Sequence, residues 1–184
     1  MKKVIVKCKL SSKETFEKKL SEIGLDFSGV HWQHDRIYVP REYKKNANYP
    51  RLIMRTDMES ADRPAKYSLV LKRHIKDSSI DIVEEAIIKD YEKMVNIILQ
   101  LGFKPFTEVS RRRQVLVMGE GVFICLDKID NLPSYYAKIE ANLAPEDYVA
   151  EAKNDLESTF KTLGETNFIE NPYFELINQA DRQG

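Results

Sequence analysis

Cysteine is scarce in this chain. Only Cys8 and Cys125 occur among 184 residues; they are far apart, lack metal-ligand spacing and fall in predicted strands among apolar neighbours. They read as small buried hydrophobes of a reducing compartment, not as a disulfide framework. Net charge is also missing, since Lys+Arg 29 balances Asp+Glu 29. Attraction for a polyanion must therefore come from clustering of charge, and a globally basic, sequence-specific nucleic-acid binder is disfavoured. No apolar run approaches the roughly 20 residues of a membrane helix, and Met1-Lys2-Lys3 is not followed by a signal-type apolar stretch, so a cytoplasmic protein is expected. There is no Gly-rich phosphate loop, nucleophile elbow, Cys/His pairing, internal repeat or low-complexity tract.

With 42% hydrophobic and 10% aromatic residues, the chain is long enough for one well-buried domain, taken as residues 1–184. Three helices are expected. Ser11-Ser12-Lys13-Glu14 resembles a capping box ahead of Phe16, Leu20 and Ile23, with Gly24 as a stop. A second helix follows Asp90 with Met94, Val95, Ile98 and Leu101 on one stripe, ending at Gly102. A third starts at Pro145 and runs through Val149, Ala152, Leu156 and Leu163 to Gly164. Alternating runs rich in branched and aromatic residues predict strands near 3–10, 35–39, 51–56, 67–73, 81–88, 108–118, 121–127 and 135–143. Residues 40–50 and 57–64 read as loops, and Met118-Gly119-Glu120-Gly121 as a hairpin connection. This pattern predicts an α+β fold whose sheet closes into a barrel.

Strand alternation places Lys7 with Lys9, and Arg111 with Arg113, on common faces. Arg55 and Lys72 join them if their strands line the same barrel, so that six cations surround one cavity; for any one strand taken alone, solvated edge charges are the plainer reading. His31 and His34 have a spacing that metal ligands use, but no third ligand is evident, and surface or core polar contacts are the plainer reading. Trp32 and Tyr38 offer rings for stacking on a base or for packing.

Taken in order, these segments resemble the CYTH superfamily of class IV adenylyl cyclases, thiamine triphosphatases and inorganic triphosphatases. Lys3-Val4-Ile5-Val6-Lys7-Cys8-Lys9 stands where that family has Glu-x-Glu-x-Lys-x-Arg, and Gln33-His34-Asp35-Arg36-Ile37-Tyr38 is similar to its Gln-x-Asp-x-Tyr-Phe. Arg51-Leu52-Ile53-Met54-Arg55 resembles Leu-Arg-x-Arg with Ile53 in place of one Arg. Leu69-Val70-Leu71-Lys72 matches Leu-Thr-x-Lys, Glu84-Glu85 its acidic strand, Leu101-Gly102-Phe103 its Leu-Gly-Phe and Arg111-Arg112-Arg113 its Lys-x-Arg. Leu126-Asp127-Lys128-Ile129 resembles Leu-Asp-x-Val. Lys138-Ile139-Glu140 sits at Glu-Ile-Glu after a one-residue insertion near Pro133, and Tyr173-Phe174-Glu175-Leu176-Ile177 is similar to the closing Tyr-x-Glu-Leu-Leu.

The resemblance implies an eight-stranded antiparallel triphosphate tunnel. In it Lys7, Lys9, Arg55, Lys72, Arg111 and Arg113 bind phosphate, while Glu84 or Glu85, Asp127 and Glu140 hold metal. Three acidic positions of the pattern are replaced, by Lys3, Ile5 and Lys138, which leaves donors for one Mg²⁺ or Mn²⁺ at most and none in a pseudoenzyme. The ammonium groups of Lys3 and Lys138 are expected to fill part of a metal's space; the alternative is that the insertion turns Lys138 outward. Three functions follow from the resemblance: a cyclase or hydrolase acting on ATP, thiamine triphosphate or polyphosphate; an inactive module that binds such a triphosphate; and a barrel repurposed for a protein partner.

Overall fold

The computed structural model describes residues 2–44, 49–60, 62–74, 80–144 and 148–180. Eight strands are present: β1 (Lys2–Lys9), β2 (His31–Pro40), β3 (Arg51–Met58), β4 (Lys66–His74), β5 (Ile80–Ile88), β6 (Phe103–Gly119), β7 (Val122–Ile129) and β8 (Tyr135–Asn142). They form a closed barrel in the order β1-β5-β4-β3-β2-β6-β7-β8, with every neighbouring pair antiparallel. Closure leaves no open edge, which explains how long runs of Val, Ile and Leu are displayed without a free strand for aggregation.

Among the described residues four helices accompany the barrel, one more than expected: α1 (Lys13–Glu22), α2 (Tyr91–Gln100), α3 (Val149–Thr162) and α4 (Tyr173–Ala180). Ser12, not Ser11, caps α1, its hydroxyl accepting from the Thr15 amide at 3.2 Å; Asp90 caps α2 by accepting from Lys93 N–H at 3.0 Å. The apolar stripes are shorter than the spacing suggested, because Ile23 and Leu101 lie past the helix ends in solvent, 64% and 67% exposed. The expected start of the third helix at Pro145 and the centre of the 40–50 loop at 45–48 lie outside the described residues.

Period-two alternation sorts the barrel wall into two faces. On β1, Val4, Val6 and Cys8 point outward into a core made with Phe16 and Leu20 of α1 and Leu156 and Phe160 of α3. Burial pushes the Cys8 thiol up to about 11, in keeping with an inert structural cysteine. On the far side Tyr38 and Met54 meet Ile98 of α2. The register between β2 and β6 shifts where Tyr38 pairs with Pro105; this bulge accommodates a residue that has no amide hydrogen to give the ladder. The inward face carries an apolar layer, Ile37, Ile53, Val70, Val109, Ile129 and Tyr136, against which α4 packs Phe174. Most of the remaining interior is polar, with Ile5 and Val83 among its lining.

Phe160 is fully buried and its ring stacks on Phe16 with centroids 6.3 Å apart. Phe160→Ala should lower the unfolding free energy by about 3–5 kcal/mol, measured by urea denaturation, because α1 and α3 share that one contact layer.

Candidate active site

The barrel encloses a cavity of about 980 Å³, whose lining includes the start of α4 and the chain before it. Its wall carries Lys3 and Lys7 from β1, Asp35 from β2, Arg51 and Arg55 from β3, Lys72 from β4, Asp81 and Glu85 from β5, Arg111 and Arg113 from β6, and Lys138 and Glu140 from β8. Each belongs to the inward half of its strand's alternation. Of the six cations expected at a phosphate site, Lys7, Arg55, Lys72, Arg111 and Arg113 converge here, whereas Lys9 ends β1 exposed and lies outside the lining. Glu85 faces the lumen and the adjacent Glu84 sits exposed on the opposite face. Asp127 is fully buried directly beneath Arg113. Lys138 points inward, since β8 pairs Lys138 with Lys7 and Glu140 with Ile5.

Ion pairs dominate this interior. Arg113 grips Asp127 with two bonds, Nε to Oδ1 at 2.6 Å and Nη2 to Oδ2 at 2.7 Å. Asp35 accepts from Arg55 at 2.8 and 3.2 Å and from Arg111 at 2.7 Å, while Gln33 orients Arg111 through its carbonyl oxygen at 3.0 Å. Glu140 lies between Lys3 Nζ, 3.0 Å from Oε2, and Lys138 Nζ on Oε1. Lys72 reaches Asp81 at 2.8 Å, and Ser68 donates to Glu85 at 2.6 Å. The guanidinium groups of Arg111 and Arg55 hold Asp35 far below the usual carboxylate range against its burial, Lys138 and Lys3 hold Glu140 well below it, and Arg113 lowers Asp127 against its burial.

Two lumenal cations differ. Lys7 donates to the backbone carbonyls of Glu170 at 3.1 Å and Asn171 at 2.5 Å, and Arg51 lies over the Phe174 ring at 5.3 Å. Among the described residues neither has a carboxylate within ion-pair distance. Burial, followed by the neighbouring charges of Lys72, Lys138 and Arg51, pulls Lys7 down to about 7 from its ordinary 10.5. Among the described residues the Tyr173 hydroxyl, buried beside Asp127, makes no hydrogen bond of normal length, and burial together with the Asp127 charge keeps the phenol protonated as a donor. Arg51 was not singled out in the sequence, although its place two residues before Ile53 on the same strand face would have identified it.

The histidines do not converge. His31 stands 3.5 Å from Asp57, while His34, three positions along the strand and so on the other face, contacts Ser110 at 2.8 Å and Glu108 at 3.3 Å. Trp32 lies outside the barrel beneath Arg112, and Tyr38 is core.

The CYTH domain profile matches residues 1–170. The chain belongs to the CYTH family. Solved structures agree on the fold. The PH1819 protein of Pyrococcus horikoshii OT3 is 23% identical with a TM-score of 0.82, covering 96% of this chain and 98% of its own. A conserved hypothetical protein of Pyrococcus furiosus is 25% identical at TM-score 0.76, with 95% and 99% covered. A Hippeastrum protein, described as a candidate adenylyl cyclase with a dominant triphosphatase activity, is 17% identical at TM-score 0.62, with 97% and 96% covered. No curated protein sequence matches the chain.

The divalent metal that the family resemblance implies does not fit the donors present. Among the described residues no three His, Cys, Asp or Glu side chains cluster as ligands. Asp127 has both oxygens on Arg113, and Glu140 has one on each of two lysines. A hard cation needs several oxygens free to converge on it.

Because Arg113 and Asp127 are buried together, Arg113→Ala should destabilise the fold by about 3–5 kcal/mol, and Arg113→Met with Asp127→Leu should recover most of that loss in thermal unfolding. The folded chain releases the Lys7 proton near pH 7, whereas the unfolded chain holds it to about 10.5. The unfolded state then binds more protons across that window, so this group makes stability rise with pH. Wild type should gain stability relative to Lys7→Met between pH 7 and pH 9, read by urea titrations at each pH.

Proposed function

We propose that this barrel binds the triphosphate group of a small molecule, ATP, thiamine triphosphate or an inorganic polyphosphate, and that holding the anion is its primary activity. The supporting observation is Lys7, an ammonium desolvated among Lys72, Lys138 and Arg51 whose hydrogen bonds among the described residues go to backbone carbonyls. An anion entering there relieves cation–cation repulsion and accepts charge-assisted hydrogen bonds from several strands at once. Arg51 and the Tyr173 hydroxyl add donors at the same end of the lumen. Lumenal cations outnumber lumenal carboxylates, so the cavity keeps a positive potential within a neutral chain.

Hydrolysis of the terminal phosphate is the second reading, motivated by the triphosphatase activity named for the Hippeastrum neighbour. Its weakness lies in the strand acids, since Asp35, Asp81 and Glu140 already neutralise cations and Glu85 accepts a hydrogen bond from the Ser68 hydroxyl, so none of these four is left as an unengaged base.

Isothermal titration with tripolyphosphate, ATP and thiamine triphosphate tests binding, and anion-exchange analysis of the same mixtures tests turnover. Lys7→Met is the suitable control because it strands no buried carboxylate. It should weaken binding by roughly tenfold or more. Failure of all three anions to bind overturns the reading, and product that disappears in Lys7→Met shifts it to hydrolysis.

A further inference from the structure

We infer that the tunnel takes its triphosphate as the metal-free polyanion, with Lys3 and Lys138 supplying the positive charge that a divalent ion would bring, so that Mg²⁺ competes with the protein for the ligand. This rests on the triphosphate binding proposed above. Its basis is the state of the acids. Both oxygens of Glu140, of Asp127 and of Asp35 are engaged by lysine or arginine, and Asp81 is paired with Lys72. A divalent ion seeking Glu140 would have to displace two ammonium groups whose strands direct them into the lumen beside it. It would then sit beside them, like charge against like charge at short range.

The same lysines are well placed for phosphate. Each ammonium has three donors, and one donor of each is spent on Glu140. Lys138 pairs across the sheet with Lys7, so these ammonium groups and that of Lys72 crowd one stretch of wall. A chelated phosphate chain has its oxygens turned toward Mg²⁺ and part of its charge cancelled, so it offers less to such a wall than the free anion does.

Titration of the full chain with tripolyphosphate, once in EDTA and once with Mg²⁺ in excess over ligand, tests this directly. Binding should be weaker in Mg²⁺ by roughly tenfold or more, and ligand-free protein should show no heat with Mn²⁺ alone. Lys138→Glu should bind Mn²⁺ and lose the penalty that Mg²⁺ imposes. Equal or tighter wild-type binding in Mg²⁺ overturns the inference, as does Mn²⁺ binding by ligand-free wild type or a Lys138→Glu protein, folded by circular dichroism, that gains no metal affinity. Absence of tripolyphosphate binding in both buffers overturns the inference together with the reading beneath it.

Discussion

Lysine and arginine can line the inside of a closed barrel only where their charge is answered, because an isolated ion in a low-dielectric interior costs several kcal/mol even after relaxation. Asp35, Asp81, Asp127 and Glu140 supply most of that answer here. Arg113 and Asp127 hold β6 to β7 by side chains as well as by the backbone ladder, and Asp35 ties β2 to both β3 and β6. The carboxylates are thus part of the barrel's construction. Asp127 and Glu140, which look like ligands in the sequence, are occupied in holding Arg113, Lys3 and Lys138.

Residues with opposite demands share the same strands without conflict because the pleat separates them. β1 sends Val4, Val6 and Cys8 into the core beneath α1 and α3 and sends Lys3, Ile5 and Lys7 into the lumen. Outward packing provides the hydrophobic driving force, and the inward face is left free to be charged. The apolar layer around Phe174 closes one part of the interior and confines the charged groups to the remainder.

Much of this was legible in the sequence for the same reason. Period-two alternation identifies Lys7, Arg55, Lys72, Arg111 and Arg113 as members of strand faces, and the ordered motifs join those faces into one barrel. What alternation leaves open is which of two adjacent residues points inward. Glu84 and Glu85 are chemically alike, and only the pairing of Glu85 with Val70 across β4 decides between them. Lys9 has the inward parity but lies at the strand's end, where parity no longer implies enclosure. The grip of Lys3 and Lys138 on Glu140 depends on the β1–β8 register, a long-range relation that no local pattern encodes. Helix α4 was visible as a motif and missed as a helix, since eight residues carry too little periodicity.

The barrel closes through its first strand. β1 pairs with β8 along nearly its whole length, from Lys3 opposite Asn142 to Lys9 opposite Tyr136, and among the described residues it pairs with β5 through Lys2, Lys3 and Val4. Lys3 and Glu140, which meet across the β1–β8 ladder, are separated by 137 positions in the chain. During synthesis β1 leaves the ribosome long before β8 exists, so its longest described pairing must wait for the end of the barrel. Closure is therefore a late, high-contact-order event in folding. The pairing of Glu140 with Lys3 forms only when the last strand arrives, so the charged interior is assembled in the same step that shuts the barrel.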